Sequence, residues 1–160
     1  MSKKWMTCLV GALWLSPLAS CTPPNPTMSH TEKEKEKVLT NQEAWKIYQK
    51  YADGWKAISD EQRATIEAEI TSPDIRYTTP KHESVGRPTV TEHMAAFQVK
   101  FPGGRFDVGD VSAHHDVALL TWILVQADGS VFARGHDQIR VGPDGRIVSL
   151  ITFAPPVSSP

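Results

Sequence analysis

Val117-Ala118-Leu119-Leu120-Thr121-Trp122-Ile123-Leu124-Val125-Gln126, then Ala127-Asp128-Gly129, then Ser130-Val131-Phe132-Ala133-Arg134-Gly135-His136-Asp137-Gln138-Ile139-Arg140-Val141, is the stretch that decides the fold. Both arms are rich in β-branched, aromatic and aliphatic residues, and Asp128-Gly129 suits the backbone of a tight hairpin turn. Pairing outward from that turn sets Leu120 opposite Asp137 and Trp122 opposite Gly135. Alternation then gathers Ala118, Leu120, Trp122 and Leu124 with Val131, Ala133, Gly135, Asp137 and Ile139 on one face. Asp137 is the charged residue in the middle of that row. The other face carries Val117, Leu119, Ile123, Val125 and Phe132.

Outward from this hairpin the same chemistry continues. Residues 105–112 and 146–153 read as two more strands, the latter entered through the turn Pro143-Asp144-Gly145, and a short strand covers 75–79. Three helices precede the meander. Thr40-Asn41-Gln42-Glu43 is a capping box, followed at helical spacing by Tyr48, Tyr51, Trp55 and Ile58, which predicts a helix to about Ile58. Ser59-Asp60-Glu61-Gln62 repeats the signal for a second helix, ended by Pro73, and Thr89-Val90-Thr91-Glu92 predicts the start of a third, with Val90, Met94, Phe97 and Phe101 on one stripe. Pro102-Gly103-Gly104 stops it. Strands joined by tight turns are antiparallel, and helices arriving before them cover one sheet face, so the expected architecture is α+β.

The chain's first residues are of another kind. Lys3 and Lys4 precede an apolar run from Trp5 to Leu15, and Leu18-Ala19-Ser20-Cys21 follows with small residues before the cysteine. The run is short of the roughly 20 residues that span about 30 Å of hydrocarbon, so it reads as an export signal over residues 1–20. Leu18-Ala19-Ser20-Cys21 resembles the lipobox of bacterial lipoproteins, which implies cleavage before Cys21 and acylation of that residue, for instance with palmitate. At about 0.8 kcal/mol per buried methylene, several chains would hold the domain firmly on a bilayer. Thr22, where an aspartate is absent, implies the periplasmic face of the outer membrane in a double-membraned host. Residues 21–39, with Pro23, Pro24, Pro26 and the run Glu32-Lys33-Glu34-Lys35-Glu36-Lys37, read as a lipidated tether, or in part as a solvated extension of the first helix. The domain then occupies 40–155 and a tail 156–160. With Cys8 removed and Cys21 acylated, no thiol pair remains for a disulfide.

Seventeen Lys and Arg stand against eighteen Asp and Glu, for a net charge of -1. Such a balance offers no basic stripe for nucleic acid. No nucleophile motif, phosphate loop or nucleotide fingerprint is present, so no cofactor is expected. His114-His115-Asp116 chelates a metal only if the segment turns, and no third ligand stands at metal spacing; the expectation is no metal site. His136 points away from Asp137 on a regular strand.

A carboxylate in an apolar row must be hydrogen-bonded, ion-paired or protonated. Asp137 is therefore a catalytic candidate, unless it serves only to pair with a cation such as Arg76 or to accept from backbone amides. The apolar outer face predicts a homodimer formed through that face.

Trp55, Pro73-Asp74-Ile75-Arg76-Tyr77, Gly86, Phe101-Pro102-Gly103, Trp122, Gly135-His136-Asp137 and Asp144-Gly145-Arg146-Ile147 come in an order that resembles the nuclear transport factor 2-like superfamily in its SnoaL-like branch, over about residues 41–154. The resemblance implies a cone-shaped fold, three N-terminal helices on a curved antiparallel sheet, with a small apolar molecule held between them. With the cone open, Trp55, Tyr77, Thr79, Phe97, Leu120, Trp122 and Asp137 line the pocket; with it filled, the aromatic set Trp55, Tyr77, Phe97 and Trp122 is core. Asp137 is similar in position to the oxyanion-hole aspartate of ketosteroid isomerases. Trp55 stands where those enzymes have a tyrosine late in the first helix, and Thr79-Pro80 where they have the proton-shuttling aspartate, which disfavours steroid isomerisation. SnoaL-type cyclases need chiefly an acidic pocket residue, a role open to Asp137. Three readings follow: a ligand-binding module, a cofactor-free isomerase or cyclase, or a structural dimer with a filled cone.

Overall fold

The structure is a computed structural model in which residues 38–154 are described. The segments read above as an export signal, a lipidation site at Cys21, a tether up to residue 37 and a tail lie outside the described residues. Among the described residues no helix is long and apolar enough to cross a membrane.

Among the described residues nine elements follow one another: α1 (Asn41–Asp53), α2 (Asp60–Ile70), β1 (Thr71–Thr79), β2 (His82–Val85), α3 (Arg87–Lys100), β3 (Arg105–His114), β4 (Val117–Val125), β5 (Val131–Val141) and β6 (Ile147–Phe153). The strands form one sheet in the order β2-β1-β6-β5-β4-β3. The expected α+β architecture holds. The sheet, however, is mixed: β1 lies parallel to β6, while the other neighbours are antiparallel. The third helix is not N-terminal to every strand, since it follows the β1–β2 hairpin.

The register inferred from Asp128-Gly129 is the one formed, with Leu120 paired to Asp137 and Trp122 to Gly135. It slips by one residue near the turn, where Ala133 faces Leu124 and Val131 faces Val125, leaving Phe132 as the extra residue of a bulge. The residue this displaces is Val131, which pairs with Val125 and is 51% exposed instead of joining the inner row as alternation predicts, while Val125 is buried although alternation sets it on the face opposite to that of Leu124. Further irregularities interrupt β3, β1 and the β5–β6 ladder; such bulges bend a sheet, and this one curves.

Helix ends depart from expectation for local reasons. Both early capping boxes form as read, at Thr40 with Glu43 and at Ser59 with Gln62. Yet α1 stops at Asp53, not Ile58. Arg63, only 3% exposed, turns back from α2 to give Nε to the Gly54 carbonyl at 3.0 Å and Nη2 to the Lys56 carbonyl at 3.3 Å. That guanidinium takes carbonyls that would otherwise be left at the helix end, and it folds 54–58 into a turn. The third helix opens at Arg87, earlier than Thr89-Val90-Thr91-Glu92 suggests. Pro88 in its first turn sets the helical φ, so Thr89 lies inside the helix and does not cap it, and Thr91 donates to Glu67.

The larger core joins Tyr48 and Tyr51 of α1, Ile70, Val90 and Met94 of the other helices, and Ala118, Leu120, Ile139, Ile147 and Leu150 of the sheet. A second cluster, Phe97, Trp122 and Leu124 with Trp55, Phe101 and Phe106 against it, lies toward the β4–β5 turn. The helices thus cover one face, as their apolar stripes require.

Candidate functional site

Between α1, α3 and the sheet lies a cavity of about 270 Å³. Its wall is mostly aromatic. From α1 and the turn after it come Tyr48, Tyr51 and Trp55; from β1, Tyr77; from α3 and its end, Phe97 and Phe101; from β3 and β4, Phe106 and Trp122. The rings meet largely edge to face, Trp55 with Phe97 at 5.5 Å and with Phe106 at 5.2 Å, and Phe106 with Trp122 at 5.6 Å between centroids. This is the packing that ring quadrupoles favour, and it fixes the wall's shape. Leu124, Thr152 and Ala154 complete one side.

One carboxyl faces this wall. Asp137 is 4% exposed, and Tyr48 donates its hydroxyl to Oδ2 at 2.6 Å. The other oxygen, Oδ1, is buried without a hydrogen-bond partner among the described residues. Burial pushes the Asp137 pKa up to about 6, against the downward pull of Tyr48 and of the nearby Thr152 hydroxyl and Trp122 indole, whose approach does not amount to a bond of full geometry. Burial likewise raises the phenols of Tyr48, Tyr51 and Tyr77, with the charge of Asp137 adding to each, so all three are proton donors at neutral pH. The arrangement is a hydrogen-bonding pole in an apolar chamber: ionised, Asp137 accepts from a hydroxyl or N–H; protonated, it donates to a carbonyl.

Five of the seven residues placed in the pocket from sequence line it: Trp55, Tyr77, Phe97, Trp122 and Asp137. Two do not. Leu120 is fully buried in the larger core, and the Thr79 hydroxyl sits in the β1–β2 turn, accepting from the Lys81 amide at 3.4 Å and donating to the His82 carbonyl at 3.3 Å. Arg76 is exposed and does not pair with Asp137. The α1 ring that reaches the carboxyl is Tyr48, while Trp55 lines the aromatic wall. Tyr48 and Tyr51 were legible only as members of the α1 stripe. Their signal was chemical: a buried phenol needs an acceptor and a buried aspartate a donor.

His136 points away from Asp137, as alternation predicts, and its Nδ1 lies 3.3 Å from the Thr121 hydroxyl on the exposed side. His114 and His115 occupy the β3–β4 turn with ring nitrogens 3.2 Å apart. Among the described residues no three His, Cys, Asp or Glu side chains gather where they could hold a metal.

Solved structures share this arrangement of a curved mixed sheet and three helices, the nuclear transport factor 2-like fold. A protein of Agrobacterium tumefaciens strain C58, provisionally called an isomerase of the SnoaL-like family, is 26% identical with a TM-score of 0.67, over 72% of this chain and 99% of its own. A nuclear transport factor 2-like protein of unknown function from Exiguobacterium sp. 255-15 is 20% identical with a TM-score of 0.57, over 69% and 99%. A protein of Jannaschia sp. CCS1, provisionally called a SnoaL-like polyketide cyclase, is 15% identical with a TM-score of 0.57, over 76% and 91%. The chain belongs to the family of the SnoaL-like domain, whose model matches residues 49–150. None of the curated proteins matches it.

Proposed function

We propose that this domain holds a small, ring-bearing apolar molecule in the cavity, with the molecule's one polar group at Asp137. The observation that carries this reading is the buried Oδ1 without a partner among the described residues, in a largely aromatic chamber. Leaving such an atom unpaired costs about 1–3 kcal/mol, a penalty that a ligand hydroxyl or N–H would remove. Aromatic walls supply the remaining affinity through buried apolar area.

The second reading, a cofactor-free isomerase or cyclase, is favoured by the pKa of about 6 at Asp137. A carboxyl so placed takes a proton from carbon near neutral pH while a phenol steadies the negative charge left on oxygen. Thr79 lies elsewhere and Asp137 is the cavity's one carboxyl among the described residues, so the same carboxyl would have to return the proton. The isomerase and cyclase names of the Agrobacterium and Jannaschia proteins agree with this class of chemistry.

The same proposal puts the protein at the bacterial cell envelope, held by acyl chains on Cys21 at the periplasmic face of the outer membrane, and working as a homodimer. Support for the anchor is the sequence Leu18-Ala19-Ser20-Cys21. For the dimer it is the exposure of Leu119 and Phe153, each about half exposed; Phe132, read from sequence as part of this face, instead packs its ring on Phe101 at 4.9 Å.

Native mass spectrometry of the protein purified from its own envelope tests the binding reading. A complex carrying an extra small mass, lost on Asp137→Leu substitution, is the expected result. A cavity that stays empty after purification and after exposure to the host's apolar extract would favour a purely structural domain. Labelled palmitate incorporated into the wild-type chain but not into Cys21→Ala would establish the anchor; equal incorporation, or none, would remove it.

A further inference from the structure

We infer that Trp122 and Gly135 together determine the size of molecule the cavity accepts. The two residues face each other across β4 and β5. A Cβ placed on Gly135 would lie 2.2 Å from Cζ2 and 2.6 Å from Cε2 of Trp122. The indole therefore occupies the space that any side chain at 135 would need, lying down against the sheet instead of standing into the cavity. Glycine opposite an aromatic residue allows this, because the ring covers bare backbone.

The position matters for the site. Trp122 lines the cavity, is buried, and takes the edge of Phe106. Gly135 is two residues from Asp137 on the same face of β5, and the Trp122 indole is near enough to Asp137 to pull its pKa down. A ligand whose polar group meets Asp137 thus rests its ring system on the indole. The floor under that ring is as deep as it is only because position 135 lacks a side chain. Shortening Trp122 deepens the floor; adding a methyl at 135 drives the indole up into the cavity, since the other neighbour of that methyl is the Phe153 carbonyl at 2.6 Å, part of β6 and unable to yield as a side chain does.

This inference rests on the ligand-binding reading and is tested with two fluorescent probes that differ in ring count, 2-naphthol and 1-hydroxypyrene. Affinities are measured for the mature full chain and for Trp122→Ala, Trp122→Phe and Gly135→Ala. Trp122→Ala is expected to shift the preference toward 1-hydroxypyrene by about tenfold, with Trp122→Phe between it and the wild type. Gly135→Ala is expected to weaken 1-hydroxypyrene more than 2-naphthol, and combining it with Trp122→Ala should restore much of the loss. Circular dichroism identifies variants that keep the fold; if Trp122→Ala does not, Trp122→Phe carries the comparison. An unchanged ratio of the two affinities in a folded Trp122 variant that still binds 2-naphthol would overturn the inference and leave the site reading standing. Failure of the wild-type chain to bind either probe would remove both.

Discussion

Tyr48 and Asp137, 89 residues apart in the chain, meet at 2.6 Å inside the domain, phenol donating to carboxyl. Helix α1 and strand β5 are docked so that the pair closes one end of an aromatic chamber, and most of what the site can do follows from this contact.

Tyr48→Phe removes the donor while keeping the ring. Asp137 then has neither oxygen satisfied, so its pKa should move further up from about 6, as followed by carbon-13 NMR of the carboxyl. Unfolding in urea at neutral pH should show a loss of about 1–3 kcal/mol. A pKa that does not rise would mean that the phenol contributes little to the carboxyl's state.

The raised pKa has a consequence for stability. Between the ordinary value of 3.8 and the folded value of about 6, the folded chain keeps a proton on Asp137 that the unfolded chain has released. The stabilisation from this group is therefore whole below about pH 4 and is lost as pH rises to about 6. Asp137→Asn does not titrate. Its stability relative to wild type should climb across that window by an amount on the order of 3 kcal/mol and stay level above it. A difference that is flat with pH, or that falls, would contradict the assignment.

Arg63 closes α1 by bonding the Gly54 and Lys56 carbonyls, and Trp55 sits in the turn so formed. Arg63→Met should cost about 3 kcal/mol in denaturant unfolding, because it leaves the buried Gly54 carbonyl and the part-buried Lys56 carbonyl without their donor. In the remaining folded protein Trp55 emission should shift to the red and binding of apolar probes should weaken. Unchanged stability would show that water serves these carbonyls as well.

The outer sheet face gives a separate test. Leu119 is 49% exposed on β4 and Phe153 50% exposed on β6. If this face joins two copies, Leu119→Glu should convert a dimer into a monomer in sedimentation velocity, with the domain's circular dichroism unchanged. A wild-type chain that already sediments as a monomer at micromolar concentration would remove the dimer.

Much of this was legible in sequence where a local rule applied. Asp128-Gly129 marked the hairpin, and the pairs Leu120–Asp137 and Trp122–Gly135 form as read, although beside the turn Gln126 meets Ser130 and it is the bulge at Phe132 that restores the count. What escaped depends on contacts between distant segments. The parallel pairing of β1 with β6 is not announced by any turn. Strand β2 was missed because His82-Glu83-Ser84-Val85 has no apolar alternation and is exposed along most of its length. Val131 left the inner row through the bulge at Phe132, and a bulge leaves no mark in periodicity. In the site, Asp137 stood out as a charge in an apolar row, whereas Tyr48 did not, since a tyrosine on a helix stripe looks like core until its acceptor is known. Thr79 and Leu120 were carried by the resemblance and by alternation, neither of which says how deep in the core a residue lies or where a hairpin turns.

The most direct measurement compares naphthalene with 2-naphthol, titrated calorimetrically into the wild-type chain and into Asp137→Leu. The two probes share a ring system and differ by one hydroxyl. If the cavity binds an apolar molecule through a single polar contact at Asp137, the wild type should prefer 2-naphthol by roughly tenfold or more, as expected for a hydrogen bond to a charged group, and the leucine variant should bind both alike. Equal affinities in the wild type, or a preference that survives in Asp137→Leu, would contradict it.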